Sequence, residues 1–413
     1  MIMTKCFNQR FLSITVVCFL VGGLITAAVC GTTIEVAKIR AKPFDQLTLV
    51  KEWAVKNMDP LGNQLVTSLT ANKAGVFVLN KIERGGDLKE SYGIQHYTLE
   101  GDFVRQWEGE ASGEKLRKPS GLASDRSGNI YVADYGVNKI KKFSAQGKFL
   151  TTWKIDPERE ENAEIDIMAV SGFAVFQDKY VYAVDIDDLG VVKYDTAGKF
   201  LGRFELMKEF WIKRGPVEEL LLLSDSPFEG GSPELFFISD LTVDQNGELF
   251  LFDMRLNVVC HLDSKGMLKR WYPVVLNDGF DLDLNPILWK ELQEDGMKNF
   301  STAWFDPHIP LYVPAYIACS GKLVFVTLGC IKPFGIVDAV VLNPSDGTLS
   351  YFKQKNWSTL KEFQEKTGEL PNDLRTPVTF FDRYLFLGRT AAIKQKATDR
   401  NYSVVQKFEL KGK

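Results

Sequence analysis

The sequence predicts an all-β fold in which one four-stranded antiparallel meander recurs six times around a ring. Three observations carry this. First, Pro119 to Trp153 contains four short runs rich in β-branched and aromatic residues, Gly121 to Ala123, Ile130 to Ala133, Lys139 to Phe143 and Phe149 to Trp153, separated by Gly and Asn turn chemistry. Second, the run that closes this unit recurs as Leu49 to Trp53, Phe103 to Trp107, Phe200 to Phe204, Met267 to Trp271 and Thr348 to Phe352. All but the first of these follow a turn glycine, at Gly101, Gly147, Gly198, Gly266 or Gly347. Third, the first closing run has no repeat in front of it, while the last repeat stops after its third strand, Val404 to Leu410. A single meander cannot bury its own face, so the copies are expected to stack. An N-terminal strand that completes the last repeat then closes a six-bladed β-propeller, which hides its sheet edges in this way.

The chain opens on a segment unlike the rest. Lys5 and Arg10 precede a charge-free apolar stretch, Phe11 to Gly31, with the small residues Thr26, Ala27 and Ala28 near its end, which is the pattern of an export signal. Residues 1–30 are therefore read as an export signal or, with Leu12 to Val29 retained, as a single membrane anchor near the lower length limit for spanning. Cys30 stands where a bacterial lipoprotein carries its lipidated cysteine, although Ala27-Ala28-Val29 departs from the usual preceding residues. The expected location is periplasmic, cell-surface or secreted. Residues 31–46 read as a polar, Pro-interrupted tether, and residues 47–413 as the propeller.

The opening strands of the blades are expected near Leu65 to Ala71, Ser120 to Asp125, Gly172 to Phe176, Asp240 to Asp244, Ala315 to Cys319 and Pro377 to Phe381. Inserts of residues 205–235, 272–314 and 353–375 each join a closing strand to the next opener. Such connections all emerge on one face of the ring. Helical periodicity at Val217 to Leu223, Ile287 to Gln293 and Leu360 to Lys366 predicts small helices on that face.

Composition bounds the partners. With 50 Lys and Arg against 53 Asp and Glu, the net charge is −3 and the signs are interspersed, so nucleic acid and anionic membrane surfaces are poor partners. Membrane contact is left to the N-terminal segment. Beyond residue 31 only Cys260, Cys319 and Cys330 remain, spaced unlike any zinc motif. Cys319 and Cys330 fall on neighbouring strands and could bridge in an oxidising compartment; the alternative is that they are small buried apolar residues.

The second repeat reads Pro119-Ser-Gly-Leu-Ala, Asp125, Gly128-Asn-Ile-Tyr-Val-Ala-Asp134, Lys139-Ile, Phe143, Gly147 and Phe149. These residues resemble the NHL-repeat family of six-bladed propellers. The likeness is fullest here, clear at Gly172 to Phe204 and Asp240 to Trp271, and weaker in the first, fifth and sixth repeats. It implies a ring and an exported, bacterial kind of protein, but no single activity, because the family holds enzymes, ligand-binding modules and interaction scaffolds.

Few residues invite chemistry. The resemblance implies, for amidating lyases, a zinc site of histidines on the inner strands; His96 and His261 fall on third strands and His308 in an insert, so that set is not assembled. For lactonases it implies a calcium held near the axis by Glu, Asn and Asp. Asp240 is the only carboxylate at the start of an opener, so it is the candidate metal ligand, with calcium as the alternative to no cofactor. Asp281-x-Asp283-x-Asn285 begins like an EF-hand loop, but Pro286 replaces its glycine and Leu292 its closing Glu, which leaves a solvated turn. Asp134, Asp185 and Asp253 end second strands and are expected to accept hydrogen bonds from the turns that follow. The inserts are rich in aromatics, which can pack each insert onto the ring or meet a ligand. Trp211, Arg214, Trp289 and Trp304 are the expected ligand contacts. The sequence thus predicts a monomeric, exported scaffold that binds a protein, peptide or glycan on the insert-bearing face. The alternative is a calcium-dependent lactonase, another hydrolase or a lyase with an axial metal.

Overall fold

Alternating β-branched and aromatic runs, most of them ended by a turn glycine with positive φ, fold as they are spaced. The computed structural model describes residues 24–29, 32–37, 42–59, 62–84, 89–108, 115–158, 172–185, 190–204, 238–253, 258–273, 312–330, 339–352, 374–391 and 402–411. Six antiparallel sheets follow one another through them. Blade two shows the unit: Pro119–Ser124, Ile130–Asp134, Lys139–Phe143 and Phe149–Lys154, paired in chain order. The first strands of successive blades pack side by side, and the sixth returns to the first, so the ring closes.

Closure occurs as the phase of the repeats requires. Leu47–Ala54 pairs antiparallel with Tyr402–Leu410, placing Trp53 opposite Val405 as the fourth strand of blade six. The connector leading from this strand into blade one is held by a buried amide network. Gln64 and Gln95 Nε2 donate to the Lys56 carbonyl at 3.0 and 2.7 Å. The Tyr97 hydroxyl accepts from the Lys56 amide at 2.8 Å and donates to Gln95 Oε1 at 3.0 Å. Asn80 and Gln95 are wholly buried, and their desolvation is offset because their polar atoms find partners. Burial pushes the Tyr97 hydroxyl up to about 12, against the hydrogen bond from the Lys56 amide.

The closing pentapeptide recurs for a packing reason. Trp107, ending the outermost strand of blade one, lies over Gly147 in the turn of blade two, where a Cβ would stand 2.8 Å from the indole. Gly147 also has φ +81°, a left-handed backbone that suits glycine. Trp53 on Gly101, Trp153 on Gly198 and Phe204 on Gly266 repeat the contact. The core lies between blades: Trp53, Phe386 and Val405 of the sixth pack on Val66, Val78 and Tyr97 of the first. Fully burying one such side chain contributes about 3 kcal/mol.

A second regularity explains the histidines. Phe77, Tyr131, Tyr182, Phe250 and Phe386 on second strands face His96, Lys142, Lys193, His261 and Lys407 on third strands. His96 and His261 stack on their phenyl partners at 4.2 Å, and Lys142 and Lys193 lie over their tyrosine rings at 5.0 and 5.5 Å. The histidines therefore occupy a repeat position that lysine fills elsewhere.

The structure departs from the sequence reading in several places. Lys42–Pro43, read as tether, pairs in parallel with Ser350 and Tyr351 at the outer edge of blade five, and Phe44 packs edge-on against Phe325. Leu24–Val29 and Thr32–Ala37 pair antiparallel. That pair belongs to a compact unit separate from the propeller, which takes Lys42–Met207, Pro233–Val274 and Pro310–Lys413. Among the described residues no helix is long and apolar enough to cross a membrane, and the one helical element is a 3-10 turn at Tyr135–Val137. The helical patterns of the three inserts lie outside the described residues. Cys319 is paired across its hairpin with Val324 and Cys330 with Tyr312. From Val324, opposite Cys319, to Cys330 is six steps of strand at about 3.3 Å each, which places the two cysteines roughly 20 Å apart, far beyond disulfide reach, and corrects the idea that they bridge.

Candidate functional site

Carboxylates set between blades are the first residues to test for chemistry. Asp240 follows a register shift in the first strand of blade four, Ile238–Val243, and is buried. Its Oδ1 accepts from the Leu241 amide at 2.8 Å and its Oδ2 from the Ile317 amide of blade five at 3.0 Å. Ser68, after the equivalent shift in blade one, accepts from the Leu122 amide of blade two at 3.1 Å. Asp240 is thus a joint between blades at a repeat position. Among the described residues no three His, Cys, Asp or Glu side chains converge as a metal centre requires.

The acids that end second strands differ from expectation in their partners. Asp134 accepts from the amides of Arg117 and Lys118, both at 2.9 Å, so it grips the segment entering its blade rather than the turn that follows. Lys141 Nζ pairs with Asp134 Oδ2 at 2.9 Å, and both side chains are buried. Lys141 also donates to the Lys115 carbonyl. In blade three Arg203 bridges Asp185 at 3.0 Å and Asp156 at 2.9 Å. The Asp253 side chain lies outside the described residues. Tyr135, fully enclosed, donates to the carbonyls of Gly172 and Val184 and ties blade two to blade three. Burial, then the nearby charges of Asp185 and Asp240, push its hydroxyl far above the ordinary range.

A concavity formed by described residues lies elsewhere. A groove of about 740 Å3 opens among blades four, five and six on the face of the first-to-second and third-to-fourth strand turns. Blade four contributes Glu248, Phe250, His261 and Lys269, blade five Cys319, Lys322 and Leu323, and blade six Gln46, Leu410 and Lys411. Glu248 is clamped, with His261 Nε2 at 2.7 Å and Lys269 Nζ at 2.6 Å. Burial would raise its carboxyl, but the hydrogen bonds from Lys269 and His261 prevail and hold it below the usual value. For His261 burial prevails, and its imidazole is held below the ordinary value despite Glu248. Cys319, a free thiol, accepts from the Gly321 amide at 3.3 Å.

Residues 116–143, which span the first three strands of blade two, match the NHL repeat family. The chain is a six-bladed β-propeller that carries an NHL repeat in blade two. The NHL segment runs from Leu116, buried against blade one, to Phe143, so it holds both the Asp134 grip and the Lys141 pair. Among solved structures, a streptogramin B lyase is similar at 12% identity, with 88% of this chain and 98% of that chain covered and a TM-score of 0.41. A virginiamycin B lyase from Staphylococcus aureus is similar at 10% identity, 88% and 99% coverage and a TM-score of 0.42. A Bacteroides fragilis protein described as exported is similar at 11% identity, 90% and 98% coverage and a TM-score of 0.42. No curated protein matches the chain in sequence.

Of the expected site residues, Asp240 serves this ring as a joint between blades four and five, while Trp211, Arg214, Trp289 and Trp304 lie outside the described residues. The groove among blades four, five and six was missed. Its members come from segments near residues 46, 248, 261, 320 and 411, and no local motif links them.

Proposed function

We propose that this NHL propeller is an exported, non-catalytic binding scaffold that takes a protein, peptide or glycan on its insert-bearing face. One observation carries the reading: Asp240, the carboxylate best placed by sequence to serve an axial metal, spends one oxygen on Leu241 and the other on Ile317. A carboxylate committed to two backbone donors is a poor calcium ligand, since calcium draws on six to eight oxygens. The N-terminal signal pattern supports an address outside the cytoplasm, and the aromatic-rich inserts support a contact surface at Trp211, Arg214, Trp289 and Trp304.

The test is the melting of the full chain in chelator and again in millimolar calcium. The scaffold reading expects superimposable curves. A resident metal at a thousandfold excess over its dissociation constant adds about 4 kcal/mol of stability. A clear rise in melting temperature, together with lactone or ester hydrolysis lost in Asp240→Asn, would sink the scaffold reading and restore the calcium-dependent hydrolase. Under the scaffold reading, Trp211→Ala, Trp289→Ala and Trp304→Ala abolish capture on glycan or peptide arrays without lowering the melting temperature.

A further inference from the structure

The groove among blades four, five and six has no part in that function, and its charge is unevenly satisfied. Both of its carboxylates are engaged. Asp244 accepts from the amides of Asn246 and Glu248, both at 2.8 Å, and Glu248 holds His261 and Lys269. Lys322 and Lys411 are exposed on its walls, and neither pairs with a carboxylate among the described residues. Partly exposed Leu323 and the largely buried Leu410 add apolar lining, and a volume of about 740 Å3 suits a small organic ligand. We propose that this groove binds a small organic dianion, an apolar body bearing two carboxylates, with Lys322 and Lys411 as its charge partners and Leu323 and Leu410 beneath the body. The clamped Glu248 favours this sign of charge, because its own carboxylate is already neutralised and does not repel the ligand. Cys319 lines the same groove, is partly exposed and carries a free thiol, so it reports occupancy directly.

The probe is 2,6-naphthalenedicarboxylate, with its uncharged diamide as the control, on the full chain. Alkylation of Cys319 by iodoacetamide, followed by peptide mass spectrometry, is expected to slow about fivefold when the dicarboxylate stands at four times its dissociation constant. The diamide leaves the rate unchanged. Lys322→Glu combined with Lys411→Glu weakens the protection about tenfold or more, as expected for two reversed contacts. Both lysines are exposed, so this variant melts as the parent does. No protection at millimolar dicarboxylate, equal protection by the diamide, or undiminished protection in the double variant each overturns the proposal. The melting test in calcium is untouched by any of these results, so the two readings fail separately.

Discussion

Replacing Lys141 with Met removes one charge from a pair in which the lysine side chain is 2% and the aspartate side chain 0% exposed. The substitution keeps nearly the same volume, so the cost is electrostatic. Stripping one partner from a buried ion pair costs about 3 to 5 kcal/mol, because the remaining charge is left unpaired. Asp134 still accepts from the amides of Arg117 and Lys118, which places the loss at the lower end, about 3 kcal/mol. At roughly 2 °C per kcal/mol for a large domain, the melting temperature falls by about 6 °C. Asp134→Asn alone is similarly harmful, since it strands the lysine. The double variant is expected to be less destabilised than the sum of the two by about 2 kcal/mol, the coupling of groups in direct contact. Calorimetry of the four proteins completes the cycle. A loss under about 1 kcal/mol for Lys141→Met, or simple additivity in the double variant, would refute the claim that this pair fastens the entry to blade two.

Further outcomes are equally specific. Gly147→Ala meets both a left-handed φ and the Trp107 ring, whereas Gly128→Ala, at φ +98° with its nearest neighbour 3.8 Å away, meets the strain alone. The first is expected to cost about 3 kcal/mol and the second about 1 kcal/mol by urea unfolding, and equal losses would contradict the seat. Burial holds His96 and His261 below 6.5 in the folded chain, so the unfolded chain takes up protons first. Stability from these groups is intact above about pH 6.5 and declines as the pH falls below it; NMR titration midpoints above 6.5 would reverse that sign. Trp53→Ala empties the seam between the first and last blades and is expected to cost about 3 to 5 kcal/mol, with early loss of the tryptophan-dependent melting signal. Mass spectrometry of unreduced peptides is expected to find Cys319 and Cys330 unlinked.

What could be read from the sequence follows the length scale of the cause. The closing pentapeptide and its glycine announced themselves because Trp107 and Gly147 fill a seat that recurs at Gly101, Gly198 and Gly266, so those copies keep the pattern. Ring closure was legible from the phase of the repeats alone. Asp134 was correctly placed at a strand end, but its partners at Arg117 and Lys118 were not foreseen, since the nearby turn competes in sequence with a segment that reaches it only through the fold. Asn80 holds the same register position in blade one, where an amide network replaces the ion pair, and no local signal distinguishes those two solutions. The cysteines misled because strand membership was visible and direction along the hairpin was not. The groove depends on three blades meeting, a relation that no stretch of the chain contains.

The pairing of Trp53 with Val405 spans roughly 350 residues. During synthesis, Leu47–Ala54 emerges early and must wait, unmated, until Tyr402–Leu410 arrives. Throughout that interval it is a sticky ribbon carrying Leu49 and Val50, both exposed even after the ring has closed. The last blade is therefore a clasp that records whether the intervening chain has been made in full. Any agent that occupies residues 47–54 beforehand would hold the clasp open and leave five finished blades without a ring.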